Sequence, residues 1–239
     1  MLALALAPAL YAQSSEGKTI DELKPYMKEF YALPEQERRA YIEHQQEASR
    51  LFNQKRIFES LEELRKAEKI FDKGPETWNL RGSCYVELRA FDKALKCFDK
   101  ALEIAPENLS VEFNIAEVHF VSRQWQKAHD AFKALLEKLP EQAIALSRIS
   151  EFKLLLCKIK LGKMEEAVRL ANKYDYLDDS PYHYYAKAVL AFEEGDENEA
   201  QKWMSQATRI FSSANILAPW HDTMIEVGYV KSFFGGDRE

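Results

Sequence analysis

The sequence predicts an all-α chain built from repeated helix pairs, on three observations. Glycine and proline are scarce, with eight of each among 239 residues, roughly 3% against the usual 7% and 5%. That scarcity disfavours a turn-rich β architecture. Small side chains recur with a twelve-then-seven spacing, and the pattern returns after 34 residues. The chain is 46% hydrophobic and 30% charged, enough apolar material for a sizeable core and enough charge for solubility. The formal net charge of −6 runs against a nucleic-acid partner, because phosphate binders carry a basic stripe. No apolar run approaches the roughly 18 residues of a membrane-spanning helix.

The chain opens on MLALALAPALYA, twelve residues without a charged side chain. That length fits the apolar core of a secretory signal, with Ala12 at the cut, although the usual basic start is missing. The expectation is an exported, periplasmic or secreted protein, with a cytoplasmic one as the alternative. Residues 13–40 are expected to form an N-terminal helical cap, with helices at 19–33 and 35–52 broken at Pro34 and with Pro25 a candidate for the true start of the first. Cys84, Cys97 and Cys157 are an odd set without metal-ligand spacing, so the plain reading is buried thiols in a core.

The clearest unit is ETWNLRGSCYVELRAFDKALKCFDKALEIAP, from Glu76 to Pro106. Gly82, Ala94 and Ala101 let two helices approach closely, while Trp78, Tyr85, Phe91 and Phe98 fill the space around them. This segment resembles a tetratricopeptide repeat, a helix–turn–helix unit with a W…G…Y…A…F…A…P pattern. The same phase holds at Ala48, Ser60 and Ala67, and again at Ala116, Ala128 and Leu135. It slips by five residues around 143–147, then resumes at Leu155, Ala167 and Tyr174 and at Ala188, Ala200 and Ala207. The predicted array is therefore 41–214, in units 41–74, 75–108, 109–142, 148–180 and 181–214. Pairs of this kind bury their apolar faces only by stacking. The resemblance implies a right-handed α-solenoid of about five units with capping helices. Residues 215–239 are read as a C-terminal capping helix and tail. Its helix is expected to start at Ala218-Pro219, run to about Phe234 and pack on the final repeat.

No catalytic residue, cofactor site or metal site is expected. The five histidines (His44, His119, His129, His183 and His221) form no H-E-x-x-H and no Cys/His cluster, and no phosphate-binding glycine loop occurs. The function expected from the resemblance is a non-catalytic scaffold that binds another protein, as a monomer or as a subunit of a larger assembly. Its alternative is a structural subunit of an envelope, secretion or pilus-type assembly. In the resembled family, first-helix side chains not used for stacking line a concave groove. Carried over residue by residue, that geometry gives one row of Gln45, Asn79, Phe113, Phe152 and Tyr185. A further row is Phe52, Val86, Phe120, Ile159 and Phe192. The residues singled out for partner binding are Asn79, Phe113, Phe120, Phe152, Tyr185 and Phe192, either open to a partner or covered by the terminal helices.

Overall fold

The computed structural model describes residues 23–231. The signal-like segment and Phe233-Phe234 lie outside them. Among the described residues there are twelve helices and no strands. They fall into two compact units, residues 23–118 and 119–231.

In the first unit α1 (Pro25–Ala32) precedes α2 (Glu35–Asn53), which pairs with α3 (Ile57–Ile70). Next, α4 (Pro75–Glu87) pairs with α5 (Phe91–Ile104). Pro25 and Pro75 occupy first-turn positions of their helices, where the missing N–H would have no partner in any case. The repeat's small residues sit where helices cross. Ala48, Ala67, Ala94 and Ala101 are fully buried. A side-chain carbon added to Gly82 would lie 2.3 Å from the Phe98 ring, so no larger residue fits that crossing unless Phe98 moves. Helix α1 contributes Phe30, whose ring lies 5.2 Å from Tyr41 and 5.4 Å from Phe71. Beneath that cluster the Tyr41 hydroxyl meets Thr77 Oγ1 at 2.7 Å, and Gln45 donates to both.

Helix α6 (Leu109–Val121) contains the division between the units. The second unit continues with α7 (Trp125–Lys138), α8 (Ile144–Lys160), α9 (Met164–Ala171), α10 (Tyr182–Glu193), α11 (Glu197–Ile210) and α12 (Ala214–Val227). The five-residue slip at 143–147 is absorbed as an added first turn of α8, which runs 17 residues. Helix α9 is short at eight residues. Tyr174, expected in a small-residue slot, lies beyond the end of α9. Its ring covers the Arg148 guanidinium at 3.6 Å instead. The terminal helix also departs from expectation. It starts at Ala214, has Pro219 inside it, and stops at Gly228, whose φ of 88° is left-handed.

The turn between paired helices has one backbone design throughout. Lys55, Arg89, Arg123, Gly162 and Gly195 all have positive φ, between 53° and 80°. In each case the next residue's N–H returns to a carbonyl five residues back, as in Gln124 to His119 at 2.8 Å and Asp196 to Ala191 at 2.9 Å. This left-handed closure satisfies carbonyls that the helix end leaves open. Three of the five positions carry a long cationic side chain where glycine is the unstrained choice, and a left-handed L-residue costs roughly 1–2 kcal/mol.

A substitution at one of them should therefore stabilise. Arg123→Gly relieves the strained φ and loses part of that gain to the greater freedom of glycine in the unfolded chain. The expected net gain is about 0.5–1 kcal/mol, or roughly 1–4 °C in Tm. Gly162→Ala should lower Tm by a similar amount. Thermal melts followed by circular dichroism check both, and an Arg123→Gly melt below the parent would contradict the strain.

Candidate helix-binding surface

Four helical turns of α8 and three of α10 supply an aromatic wall in the second unit. Phe152 from α8 is fully buried, and its ring lies 6.5 Å from Tyr182 and 6.2 Å from Tyr185 of α10, both nearly perpendicular to it. Edge-to-face contacts of this kind match the electron-poor rim of one ring to the face of another. Burial pushes the Tyr185 hydroxyl up to about 12 and raises that of Tyr182 further, helped by nearby Glu151. Both hydroxyls stay protonated at neutral pH.

Helix α12 lies on this wall. Trp220 reaches Phe152 at 5.2 Å, Tyr185 at 5.8 Å and Tyr182 at 6.3 Å. Met224, one turn on, is fully buried. Between them Thr223 accepts a hydrogen bond from Lys153 Nζ at 3.0 Å and donates one to the Pro219 carbonyl at 2.7 Å. Lys153 is itself buried, with its ammonium 4.5 Å from the centroid of Phe120. After the Gly228 turn, Tyr229 stacks on Phe192 at 5.3 Å and donates to Glu193, with Lys160 over its ring at 4.9 Å.

Of the two arrangements left open for these aromatic rows, the structure has the covered one. Phe120, Phe152 and Tyr185 are 0%, 0% and 2% exposed. Phe120 packs edge-on against Trp125 and Phe132. Phe152 and Tyr185 are covered by Trp220, and Phe192 is half-buried under Tyr229. The terminal helix was expected to pack on the last repeat. It does so through Tyr182 and Tyr185 of α10 and also reaches Phe152 of α8, because those helices offer three adjacent rings to its one large ring. In the first unit Phe113 is also buried, and the side-chain oxygen of Asn79 accepts from Asn114 Nδ2 at 2.8 Å. Sequence reasoning missed Trp220, Thr223, Met224, Tyr182 and Lys153. The available signal was Trp220 and Met224 four residues apart, directly after Pro219.

His44 and His183 make local polar contacts. His44 Nδ1 lies 2.7 Å from Glu63, and His183 Nδ1 lies 3.1 Å from the Tyr174 carbonyl oxygen. Burial, with Lys127 nearby, holds His119 below the usual imidazole value. Among the described residues no three His, Cys, Asp or Glu side chains group as a metal site would require. None of their helices is long and apolar enough to cross a membrane.

Removing a core ring should be expensive. Phe120→Ala is expected to cost about 3–5 kcal/mol in chemical denaturation. A cost near zero would mean that the ring faces solvent.

The family model for the tetratricopeptide repeat matches residues 75–108. Among curated proteins, ethylene-overproduction protein 1 of Arabidopsis thaliana is 29% identical over 64% of this chain and 15% of its own length. The chain spans between 8% and 17% of the four curated relatives it matches. Among solved structures, the tetratricopeptide protein TTC0263 of Thermus thermophilus is 17% identical with a TM-score of 0.55, over 74% of this chain and 95% of that one. YrrB, described as a tetratricopeptide protein with an unusual peptide-binding site, is 18% identical with a TM-score of 0.50, over 83% and 97%. Residues 75–108 therefore carry a tetratricopeptide repeat, and the chain shares the helix-pair fold of solved tetratricopeptide-repeat proteins.

Proposed function

We propose that the protein is a non-catalytic scaffold that holds a helical segment of a partner protein on the aromatic wall of α8 and α10. Tetratricopeptide proteins are generally protein–protein interaction scaffolds, and this reading adds the surface and the shape of its ligand. The observation that carries it is α12 itself. A helix bearing Trp, Thr and Met at positions i, i+3 and i+4 lies on that wall, with its ring among three others and its hydroxyl on a buried ammonium. This is the helix-in-groove mode of recognition, read through anchors one turn apart. A partner helix with the same anchors would compete with α12, whose short tether gives it an effective concentration on the order of millimolar.

The test uses the full chain and a labelled peptide of residues 214–231. The double variant Trp220→Ala, Met224→Ala loosens the internal helix and should bind the peptide at micromolar concentration. The parent chain should bind it at least tenfold more weakly. Adding Phe152→Ala to the double variant should abolish binding. A peptide that binds neither chain would remove the basis of the proposal.

Export is part of the same proposal and rests on the apolar run from Met1 to Ala12. N-terminal sequencing of the native protein should return a start near Gln13. An intact Met1 would contradict export by this segment.

A further inference from the structure

We propose that α12 is an autoinhibitory strap, held over the aromatic wall by a clasp at Tyr229 that sets how often the wall is open. The inhibitory role rests on that wall being the partner's seat. The strap is built asymmetrically. Its buried residues are Trp220, Thr223 and Met224, from the middle of the helix onward. Its first residues, Ala214, Asn215 and Ile216, are exposed, and so are Ser212 and Ser213, which belong to neither α11 nor α12. The end joined to α11 is therefore the hinge, and the far end is where the strap is held.

The clasp follows the helix. Gly228 takes a left-handed φ of 88°, and the Tyr229 and Val230 N–H groups both return to the Met224 carbonyl, at 3.0 and 3.4 Å. This closure of the helix end turns the chain so that the Tyr229 ring stacks on Phe192 of α10, with centroids 5.3 Å apart and planes 19° from parallel. The Tyr229 hydroxyl donates to Glu193 Oε1. Lys160 of α8 completes the group, with Nζ 4.9 Å from the Tyr229 ring centroid and 3.9 Å from the same carboxylate oxygen. One side chain thus meets a ring, an anion and a cation at the ends of α8 and α10. Burial and the neighbouring carboxylate raise the Tyr229 hydroxyl above its usual value, so it remains a donor at neutral pH.

Clasp and anchors use different partners. The clasp takes Phe192, Glu193 and Lys160, whereas Trp220 and Thr223 take Phe152, Tyr182, Tyr185 and Lys153. A partner helix with anchors at i, i+3 and i+4 reproduces the second set alone. The clasp therefore gives α12 an advantage that such a helix lacks, in addition to its tether. A hydrogen bond to a charged group and a stacked aromatic pair, at a half-exposed edge, correspond to roughly tenfold to a hundredfold in the ratio of closed to open chains. A ligand that prefers the open chain by more than that ratio displaces the strap.

Amide hydrogen exchange on the full chain tests the clasp without any partner. Tyr229→Ala should speed exchange at 220–227 roughly tenfold or more, with α10 and α11 keeping their protection. Tyr229→Phe keeps the stack and loses the hydrogen bond, so its effect should fall between those of Tyr229→Ala and the parent. The labelled peptide of residues 214–231 should then bind the Tyr229→Ala chain about tenfold more tightly than the parent. Unchanged exchange at 220–227 in Tyr229→Ala would overturn the proposal. So would an equal loss of protection in α10 and α11, which would make Tyr229 a general support of the fold. Faster exchange at 220–227 without tighter peptide binding would overturn the inhibitory role, and with it the reading of the wall as a partner's seat.

Discussion

The second unit turns on one contact, the Trp220 indole against Phe152, Tyr182 and Tyr185. Helix α12 has 14 residues with Pro219 inside it. A free helix of that length is marginal in water, and an interior proline costs roughly 3 kcal/mol more. Burying an indole removes about 150–250 Å² from water, which at about 25 cal/mol per Å² is on the order of 4–6 kcal/mol. The docking term therefore decides whether the helix exists. The dependence runs the other way as well, because without α12 the rings of Phe152 and Tyr185 lose their cover. Lys153 ties the two together, with its ammonium on Thr223 and against the Phe120 ring.

The periodic part of the fold was legible because its cause is periodic. A small residue is needed wherever two helices cross closely, and Gly82 against Phe98 shows how little room there is. The turns were half legible. Gly162 and Gly195 announce a left-handed residue, whereas Lys55, Arg89 and Arg123 adopt the same conformation without that signature. Their positions repeat every 34 residues all the same. The hydrogen bond that closes the helix end outweighs the strain at each cationic residue, so geometry persists where residue type does not.

The sequence left the aromatic rings of the candidate site either open or covered, and in the structure they are covered. Phe152 and Tyr185 pack against each other between α8 and α10 with Trp220 over them, and Phe192 lies under Tyr229. Repeat phase shows which face a ring takes, but it carries no information about what lies over that face. The covering element is outside the repeat, and its signal is a single tryptophan and a methionine one turn on. Tyr174 is a second case. A ring in a small-residue slot looked like a weak repeat, and the structure resolves the conflict by ending α9 at Ala171 and turning the ring onto Arg148. The loop this creates, with Tyr176 and Leu177 at its tip, has no counterpart in the regular units.

The dependence of α12 on its aromatic seat is open to direct measurement by amide hydrogen exchange, comparing the full parent chain with Trp220→Ala. The expected result is that amides of 217–227 in the variant exchange at nearly the rate of a free peptide, while those of α10 and α11 keep most of their protection. If 217–227 remain as protected in the variant as in the parent, the helix is held by something other than the Trp220 contact, and the aromatic wall is not its seat.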